Sequence, residues 1–308
     1  MQLHRVEVAG LDTPCGDARI YVQIPAYRDS ELPATLKDLY AKADARSELR
    51  VSVLWQHGAR ERLPKSVRSL PGLELVAIPC EKSRGCNWAR NLLQQEWRGE
   101  RYTLLLDSHH RFKPGWDRIL VQMYEGLRRD GVAKPILTSY MPSYRPANDP
   151  GERKRRPYKI YPLGREQGLL TRLTSYPILG YRRLERPVPA DFVSLHFLFT
   201  AGTFNRELRF DPDIYFFGDE VLTSVRAFTH GYDLFHPHVV VGWHCFERTS
   251  RIPHWNDHPQ WRNQHARSLD IMRRIFRGEY QGEFGAGDRR DVREYEEHAL
   301  LTLAEDSA

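Results

Sequence analysis

The feature that most constrains the fold is an alternation of short apolar runs with amphipathic segments over residues 17–130. Apolar runs of this length are typical of buried strands, and the segments between them have the spacing of helices. The alternation therefore predicts an α/β fold in which a parallel sheet carries helices on both faces, and residues 17–130 form a nucleotide-binding half. The predicted strands are residues 17–25, 50–56, 73–79 and 101–107, and the predicted helices are residues 30–46, 83–96 and 116–129.

The rest of the chain surrounds a basic insertion. Residues 139–189 are rich in Pro, Tyr and Arg and lack a long periodic segment, which predicts loop-rich structure. The net charge of the chain is +6, and residues 145–186 alone carry +7, from eleven Lys or Arg and four Asp or Glu. We expect one catalytic domain over residues 1–260, with its second half at 190–251, and a C-terminal helix and charged tail over 261–308. The further predicted elements are strands at 191–199 and 239–243 and helices at 221–230 and 260–276.

Composition excludes several classes of protein. A chain of 308 residues with 41% hydrophobic and 11% aromatic residues is long and apolar enough to bury a core, which excludes general disorder and a coiled coil. The four cysteines form no C-x-x-C pair, so we expect free thiols and neither a disulfide framework nor a zinc cage. No apolar run approaches the roughly 18 residues of a membrane span, and the N-terminus lacks a secretory signal pattern. We therefore expect a cytoplasmic protein without a membrane span.

The strongest local signal is a pair of metal-ligand residues after a predicted strand. Asp107 and His109 follow the apolar run at 104–106, at the strand end where ligands bind in open α/β sheets. Residues two apart in an extended chain point to the same side, and a carboxylate with an imidazole suits Mn²⁺ or a similar ion. His244, which follows the predicted strand at 239–243, is a candidate third ligand. The structural alternative is a helix N-cap with a solvated histidine.

Two further motifs combine helix starts with charged side chains. In residues 80–91, a turn at Gly85 opens a helix that carries Arg90, and a helix N-terminus with guanidinium groups suits a diphosphate. The alternative there is an arginine that faces solvent. Asp219 and Glu220 lie at the start of another predicted helix, where they are either dipole-favoured acids or groups for acceptor recognition or acid/base chemistry.

Taken in chain order, these motifs resemble those of a known group of enzymes. Residues 24–29 (IPAYRD), 83–91 (SRGCNWARN), 106–112 (LDSHHRF) and 217–220 (FGDE) together resemble the motifs of glycosyltransferases with a GT-A fold. The closest resemblance is to the cytoplasmic family that attaches N-acetylglucosamine to hydroxyproline on a protein, and the mucin-type polypeptide N-acetylgalactosaminyltransferases are similar at a greater distance. The likeness covers about residues 17–250.

The resemblance implies a GT-A-type, Rossmann-like mixed sheet flanked by helices, and it assigns roles to the motifs. It implies that Asp107 and His109 hold Mn²⁺ or Mg²⁺, and His244 in the VGWH sequence is the corresponding third ligand, with Trp243 inserted. The remaining implied roles are uracil and ribose contacts for Pro25, Ala26, Tyr27 and Arg28, diphosphate or sugar contacts for Arg84 and Arg90, the floor of the sugar pocket for Ala201 and Gly202, and acceptor and sugar binding for Asp219 and Glu220.

The sequence therefore predicts a metal-dependent glycosyltransferase of the hexosyltransferase class. By the resemblance, it moves N-acetylglucosamine from UDP-GlcNAc, with retention, onto a hydroxyl of a protein or peptide, and a glycan or small-molecule acceptor is the alternative. A nucleotidyltransferase would carry a Gly-rich loop with lysine after the first strand, where this chain has residues 24–29. A nucleic-acid-binding protein would use the basic segment and its interleaved tyrosines, but that charge is confined to the insertion.

Overall fold

The structure is a computed structural model that describes residues 19–280 and 282–305. Its strands are β1 (Ile20–Tyr27), β2 (Leu49–His57), β3 (Leu73–Pro79), β4 (Tyr102–Leu106), β5 (His110–Phe112), β6 (Pro135–Thr138), β7 (Tyr158–Glu166), β8 (Leu169–Pro177), β9 (Val188–Pro189), β10 (Phe197–Ala201), β11 (Asp233–His236) and β12 (Gly242–His244). Its helices are α1 (Leu32–Lys42), α2 (Lys65–Arg68), α3 (Cys86–Gln95), α4 (Trp116–Arg129), α5 (Phe204–Glu207), α6 (Asp219–Thr229), α7 (His254–Asp257), α8 (Trp261–Phe276) and α9 (Val292–Ala299).

The central element is an eight-stranded sheet with the order β3-β2-β1-β4-β10-β6-β11-β9. The first four strands in this order are parallel, as the alternation predicts, whereas β10 runs antiparallel to both β4 and β6. The expected mixed α/β fold is therefore confirmed. The carboxyl ends of β1, β2 and β4 lie at one edge of the sheet, which is where the predicted site residues follow these strands.

The two faces of the sheet are covered by different helices, because alternate residues of each strand point to opposite faces. Val51 and Val53 of β2 belong to the same buried cluster as the apolar residues of α1 and α4. Leu54 of β2, which points to the opposite face, instead belongs to a cluster with Trp88 and Leu93 of α3. Helices thus pack on both faces, as expected.

The insertion at 139–189 differs from the loop-rich segment that the sequence predicts. It contains an antiparallel hairpin, β7-β8, whose turn places Gln167 and Gly168 at positive φ. Its alternation of polar and apolar residues is hard to detect because both strands expose many Tyr and Arg side chains. The hairpin is anchored near both of its ends, since Ile160 and Leu169 lie in a buried cluster with residues of α6, α8 and α9.

The end of the predicted catalytic half also differs. The predicted strand at 239–243 is displaced to β12, a short strand that pairs with β5 rather than with the main sheet, and β11 joins the main sheet instead. Val241 is buried in the main core without forming strand pairs there. Cys80, Cys86 and Cys245 are free thiols, as expected, whereas Cys15 and the first two residues of the predicted strand at 17–25 lie outside the described residues. Among the described helices, none is both long and apolar enough to cross a membrane.

Candidate active site

Three predicted metal ligands meet at the carboxyl edge of the sheet. Ligand atoms of Asp107, His109 and His244 all lie within 4.8 Å of one another. The Oδ2 atom of Asp107 is 3.5 Å from Nε2 of His109 and 3.3 Å from Nε2 of His244. The pairing of β12 with β5, in register between His244 and His110, brings together residues that are far apart in the chain. The structure therefore groups one carboxylate oxygen with two imidazole nitrogens.

The chemistry of these groups fits a divalent cation. Nε2 of His109 is buried and has no hydrogen-bond partner among the described residues. Burial, reinforced by the charges of His109 and His110, lowers the pKa of His244 well below its ordinary value, so its ring is neutral. Burial opposes ionisation of Asp107, but positive charge on His109 and Arg90 outweighs it and holds the pKa of the carboxyl below its ordinary value. One carboxylate oxygen and two imidazole nitrogens are a donor set suited to Mn²⁺.

The neighbouring histidines support these ligands without joining them. The ring of His196 stacks on His244 with 4.1 Å between centroids and an angle of 21°. Nε2 of His196 accepts from the Met141 N–H at 3.0 Å, and Nδ1 is 2.9 Å from Oγ of Ser194, so both of its nitrogens are engaged. Nδ1 of His110 donates to the carbonyl of Asp107 at 3.2 Å, and His110 is not among the three residues whose ligand atoms cluster.

A cavity of about 170 Å³ borders the three-residue cluster. Of the predicted site residues, Pro25, Tyr27, Asp107 and His109 line it. The other lining residues that matter here were not predicted from the sequence: they are Gln56, Ser108, Tyr215, Arg248, Arg251 and Trp255. Arg248 and Arg251 place two guanidinium groups beside the candidate metal ligands. Their segment follows β12 and carries no strand or helix signal that sequence reasoning could use.

The motif at 24–29 is divided between the cavity and its supports. Ala26 is buried in the core rather than in the cavity wall. The hydroxyl of Tyr27 donates to Oδ2 of Asp257 at 2.6 Å, and Nη1 of Arg28 donates to the same oxygen at 2.9 Å. Nε of Arg28 also donates to Glu61 at 3.0 Å. Arg28 is therefore neutralised by two carboxylates and holds the rim of the site.

The two arginines predicted near the diphosphate have different surroundings. Arg84 is exposed and forms an ion pair of 3.2 Å with Asp213. Arg90 is buried, and its Nη1 donates to Oδ2 of Asp219 at 2.8 Å. Cys86, whose side chain lines the cavity, has its sulfur 3.5 Å from Nη1 of Arg90 and 3.7 Å from Oδ2 of Asp219. The Arg90–Asp219 pair thus lies directly beneath the cavity floor.

Glu220 points away from this pair. Its Oε2 accepts from the Tyr140 hydroxyl at 2.5 Å and its Oε1 accepts from the Leu195 N–H at 2.9 Å. Burial, together with the charge of Asp219, raises the pKa of Glu220 to about 7. Neither acid lines the cavity described above, so their predicted contacts with sugar and acceptor remain predictions.

Ala201 and Gly202 are not brought to this site. Because β10 runs antiparallel to β4, Ala201 pairs with Tyr102 at the start of β4, and Phe197 pairs with Leu106 at its end. Ala201 therefore lies at the opposite edge of the sheet from Asp107. Gly202 packs against the chain at Glu100, where an added Cβ would lie 1.9 Å from the carbonyl oxygen. The expectation that these two residues form the floor of the sugar pocket is wrong for this geometry.

A mixed sheet of this order flanked by helices has the architecture of the GT-A fold, and the candidate metal cluster lies at its carboxyl edge. The chain belongs to the family described as Glycosyltransferase (GlcNAc), whose family model matches residues 19–77 and 64–305. Among solved structures, it is similar to GalNAc-T7 with UDP, GalNAc and Mn²⁺, at 13% identity and a TM-score of 0.58, over 93% of this chain and 55% of that one. It is also similar to S. aureus TarS, at 11% identity and a TM-score of 0.50, over 81% of this chain and 43% of that one.

The chain thus spans about half the length of these two structures. No curated protein matches its sequence significantly. At this level of identity the structural similarities establish the fold, and the family match establishes that the chain belongs to this glycosyltransferase family.

Proposed function

We propose that this glycosyltransferase is metal-dependent and moves N-acetylglucosamine from UDP-GlcNAc, with retention, onto a hydroxyl of a protein or peptide in the cytoplasm. The observation that carries the proposal is the cluster of Asp107, His109 and His244 at the border of the cavity. The family description names GlcNAc, and the similar GalNAc-T7 structure contains UDP and Mn²⁺. The resemblance of four motifs to the hydroxyproline-modifying family supports a protein acceptor.

In the proposed mechanism, Asp107, His109 and His244 hold a divalent cation. When bound, that cation supplies positive charge that stabilises the departing diphosphate. Arg248 and Arg251 line the same cavity and add charge to the diphosphate side, where guanidinium groups match phosphate oxygens.

The walls of the cavity orient the remaining parts of the donor. Pro25 and Tyr27 provide an apolar and aromatic surface for the base, with Tyr27 fixed by its bond to Asp257. Asp219 acts on the sugar side through Arg90. Their ion pair fixes the start of α3, and this helix start carries Cys86 under the cavity. In this proposal the acidic pair positions the site and supplies no nucleophile.

The donor proposal is tested with a panel of nucleotide sugars. Thermal shift and product formation by mass spectrometry, each with and without Mn²⁺, should select UDP-GlcNAc, because a ligand that binds the native state raises its melting temperature. Asp107→Ala should abolish turnover with little loss of stability. Asp44→Ala, an acid paired with Arg118 outside the cavity, is the control and should retain activity. Tighter binding of GDP or CMP than of UDP, or full activity of Asp107→Ala, would contradict the proposal.

We propose further that the acceptor approaches over an arginine surface on the insertion, defined by Arg155, Arg156, Arg182 and Arg183. All four side chains are exposed. Two contacts join their segments: the Tyr181 hydroxyl donates to the Arg155 carbonyl at 3.3 Å, and the Ile178 N–H donates to the Pro157 carbonyl at 2.9 Å. Arg153, by contrast, is committed to Asp149 at 2.5 Å and to the ring of Trp243. Exposed, concentrated positive charge favours an acidic polypeptide acceptor.

Reversal of two charges on this surface separates donor from acceptor binding. Arg182→Glu with Arg183→Glu should raise the acceptor KM while hydrolysis of the donor stays unchanged. The matched control is Arg262→Glu with Arg267→Glu, two exposed arginines on α8. Equal loss of both activities would place the arginine surface over the donor, and no effect on either would remove it from acceptor binding.

A further inference from the structure

A buried carboxylate lies behind one of the candidate metal ligands. The side chain of Asp29 is fully buried, and its Oδ2 is 2.7 Å from Nδ1 of His109. The same oxygen accepts from the Ser108 hydroxyl at 2.6 Å. The other oxygen, Oδ1, accepts from the Glu31 N–H at 2.9 Å. Three bonds therefore fix this carboxylate in one orientation.

The contact determines which nitrogen of His109 carries the proton. A carboxylate oxygen only accepts, so Nδ1 must donate to Asp29. In the neutral ring, Nε2 is then an unprotonated nitrogen with a free lone pair. Nε2 is the buried, unpartnered atom that faces Asp107 at 3.5 Å. Asp29 thus prepares the nitrogen that points into the metal-ligand cluster.

The other imidazole in the cluster lacks such an anchor. Nδ1 of His244 is buried and has no hydrogen-bond partner in the described part of the chain. Its ring is held by stacking on His196 instead. Of the two imidazoles in the cluster, His109 is therefore the one whose orientation and basicity are set by a carboxylate.

We infer that Asp29 is a positioning residue of the metal centre, which sets the tautomer and orientation of His109 for cation binding. The inference rests on the metal site of the proposed function. Carboxylates that bind the second nitrogen of a histidine ligand orient the ring and raise its basicity, and their loss typically weakens metal binding about 10- to 100-fold. The chain brings Asp29 to this place because it directly follows β1, next to the end of β4.

The experiment compares Mn²⁺ affinity in Asp29→Ala and Asp29→Asn with the wild type, measured by electron paramagnetic resonance of free Mn²⁺ without donor. The alanine variant should bind about 10- to 100-fold more weakly. The asparagine variant keeps an oxygen that can accept from Nδ1, so its affinity should lie between the other two. Asp117→Asn is the matched control, because Asp117 is equally buried and accepts from the Asp44 and Ala45 N–H groups, away from the cavity. It should bind Mn²⁺ as the wild type does.

A second readout is the ¹⁵N chemical shifts of His109 in metal-free protein. The wild type and Asp29→Asn should show the proton on Nδ1, and Asp29→Ala should show a mixture of tautomers. Circular dichroism establishes that each variant is folded, and Asp29→Asn, which keeps the size of the side chain, carries the test if the alanine variant does not fold.

The outcomes separate this inference from the metal site itself. If the wild type does not bind Mn²⁺, or if Asp107→Ala binds it equally well, the proposed metal site is wrong. If Asp107→Ala loses binding while both Asp29 variants retain wild-type affinity, the role of Asp29 is overturned. Weaker binding with an unchanged His109 tautomer in Asp29→Ala would overturn the tautomer mechanism.

Discussion

Replacement of Arg90 by methionine tests the buried ion pair beneath the cavity. In the wild type, the side chains of Arg90 and Asp219 are 5% and 9% exposed, so solvent screens their attraction weakly. Methionine fills similar space but leaves the Asp219 carboxylate with Asn87 Nδ2, at 3.2 Å, as its remaining strong donor. It also removes the bond from Nη2 of Arg90 to the Leu195 carbonyl. We therefore expect a loss of stability well above that of an ordinary surface substitution.

The size of the effect follows from the burial of the charge. Removal of one partner of a buried pair costs about 3–5 kcal/mol, because the other charge remains uncompensated. Burial already raises the pKa of Asp219 above its ordinary value of 3.8, although Arg90 opposes this. Without Arg90, the interaction that opposes this rise is lost, so the pKa of Asp219 rises further.

The sign of the pH dependence follows from proton linkage. Where the native pKa of Asp219 exceeds the unfolded value, the native state binds more protons, so stability falls as pH rises between the two values. The deficit of Arg90→Met should therefore be largest at pH 8, about 4 kcal/mol, and should be smaller at pH 5.

The assay is urea unfolding followed by tryptophan fluorescence at pH 5 and pH 8. The matched control is Arg84→Met, which breaks an ion pair whose side chains are 57% and 66% exposed and should cost less than about 1 kcal/mol. The double variant Arg90→Met with Asp219→Leu should recover most of the loss, because no buried charge is left unpaired. A deficit below about 1 kcal/mol, or one that does not depend on pH, would refute the argument.

Three further predictions concern other residues of the site and its surroundings. Glu220 has a native pKa of about 7 against an ordinary value of 4.5, so wild-type stability should fall by up to about 3 kcal/mol as pH rises through this window, and Glu220→Gln should remove that dependence in urea unfolding at pH 5 and pH 8. Gly202→Ala should lower stability by about 1–3 kcal/mol or more, because its Cβ would meet the Glu100 carbonyl. Its donor KM, measured below the melting temperature of the variant, should be unchanged, because Gly202 lies at the far edge of the sheet. His244→Ala should raise the Mn²⁺ concentration for half-maximal activity, and an unchanged requirement would show that the third ligand lies elsewhere. His236 is a poor substitute, because Nδ1 donates to the Thr138 carbonyl at 2.7 Å and Nε2 accepts from the Ile160 N–H at 3.2 Å.

Local sequence patterns predicted the buried parallel strands and the site residues that follow them. The parallel strands β1 and β4 are buried on both faces, so each appears in the sequence as an apolar run with little polar interruption. The acid and histidine after β4 were identifiable because parallel strands present their carboxyl ends at a common edge. The sequence therefore located two candidate ligands, Asp107 and His109, from strand position and residue type.

The pairing of strands that are distant in the chain could not be predicted from the same local patterns. The insertion of β10 between β4 and β6, with reversed direction, is a choice of partner and register that no local run of residues encodes. An apolar strand has the same composition in either direction, but the direction decides which end reaches the site. This is why the position of Ala201 was wrong, although a strand was predicted at 191–199, which overlaps the start of β10.

The cavity wall after β12, which carries Arg248 and Arg251, also could not be predicted from local sequence patterns. Its contacts explain the arrangement of the motif at 24–29. Hydrogen bonds from the Ser30 N–H to the Ser250 carbonyl and from the Ile252 N–H to the Arg28 carbonyl attach this wall to the end of β1. Arg28 has a φ of 43°, a left-handed conformation that non-glycine residues adopt rarely and that is common where function constrains the backbone.

This turn lets consecutive side chains serve different elements. Tyr27 and Arg28 hold Asp257 at the rim, whereas Asp29 turns inward to His109. The motif therefore joins the base side of the cavity, its rim and the metal-ligand cluster within three residues. Because each contact spans at least 80 positions in the chain, the chemical role of Asp29 becomes visible only when the folded chain brings its partner within hydrogen-bond distance.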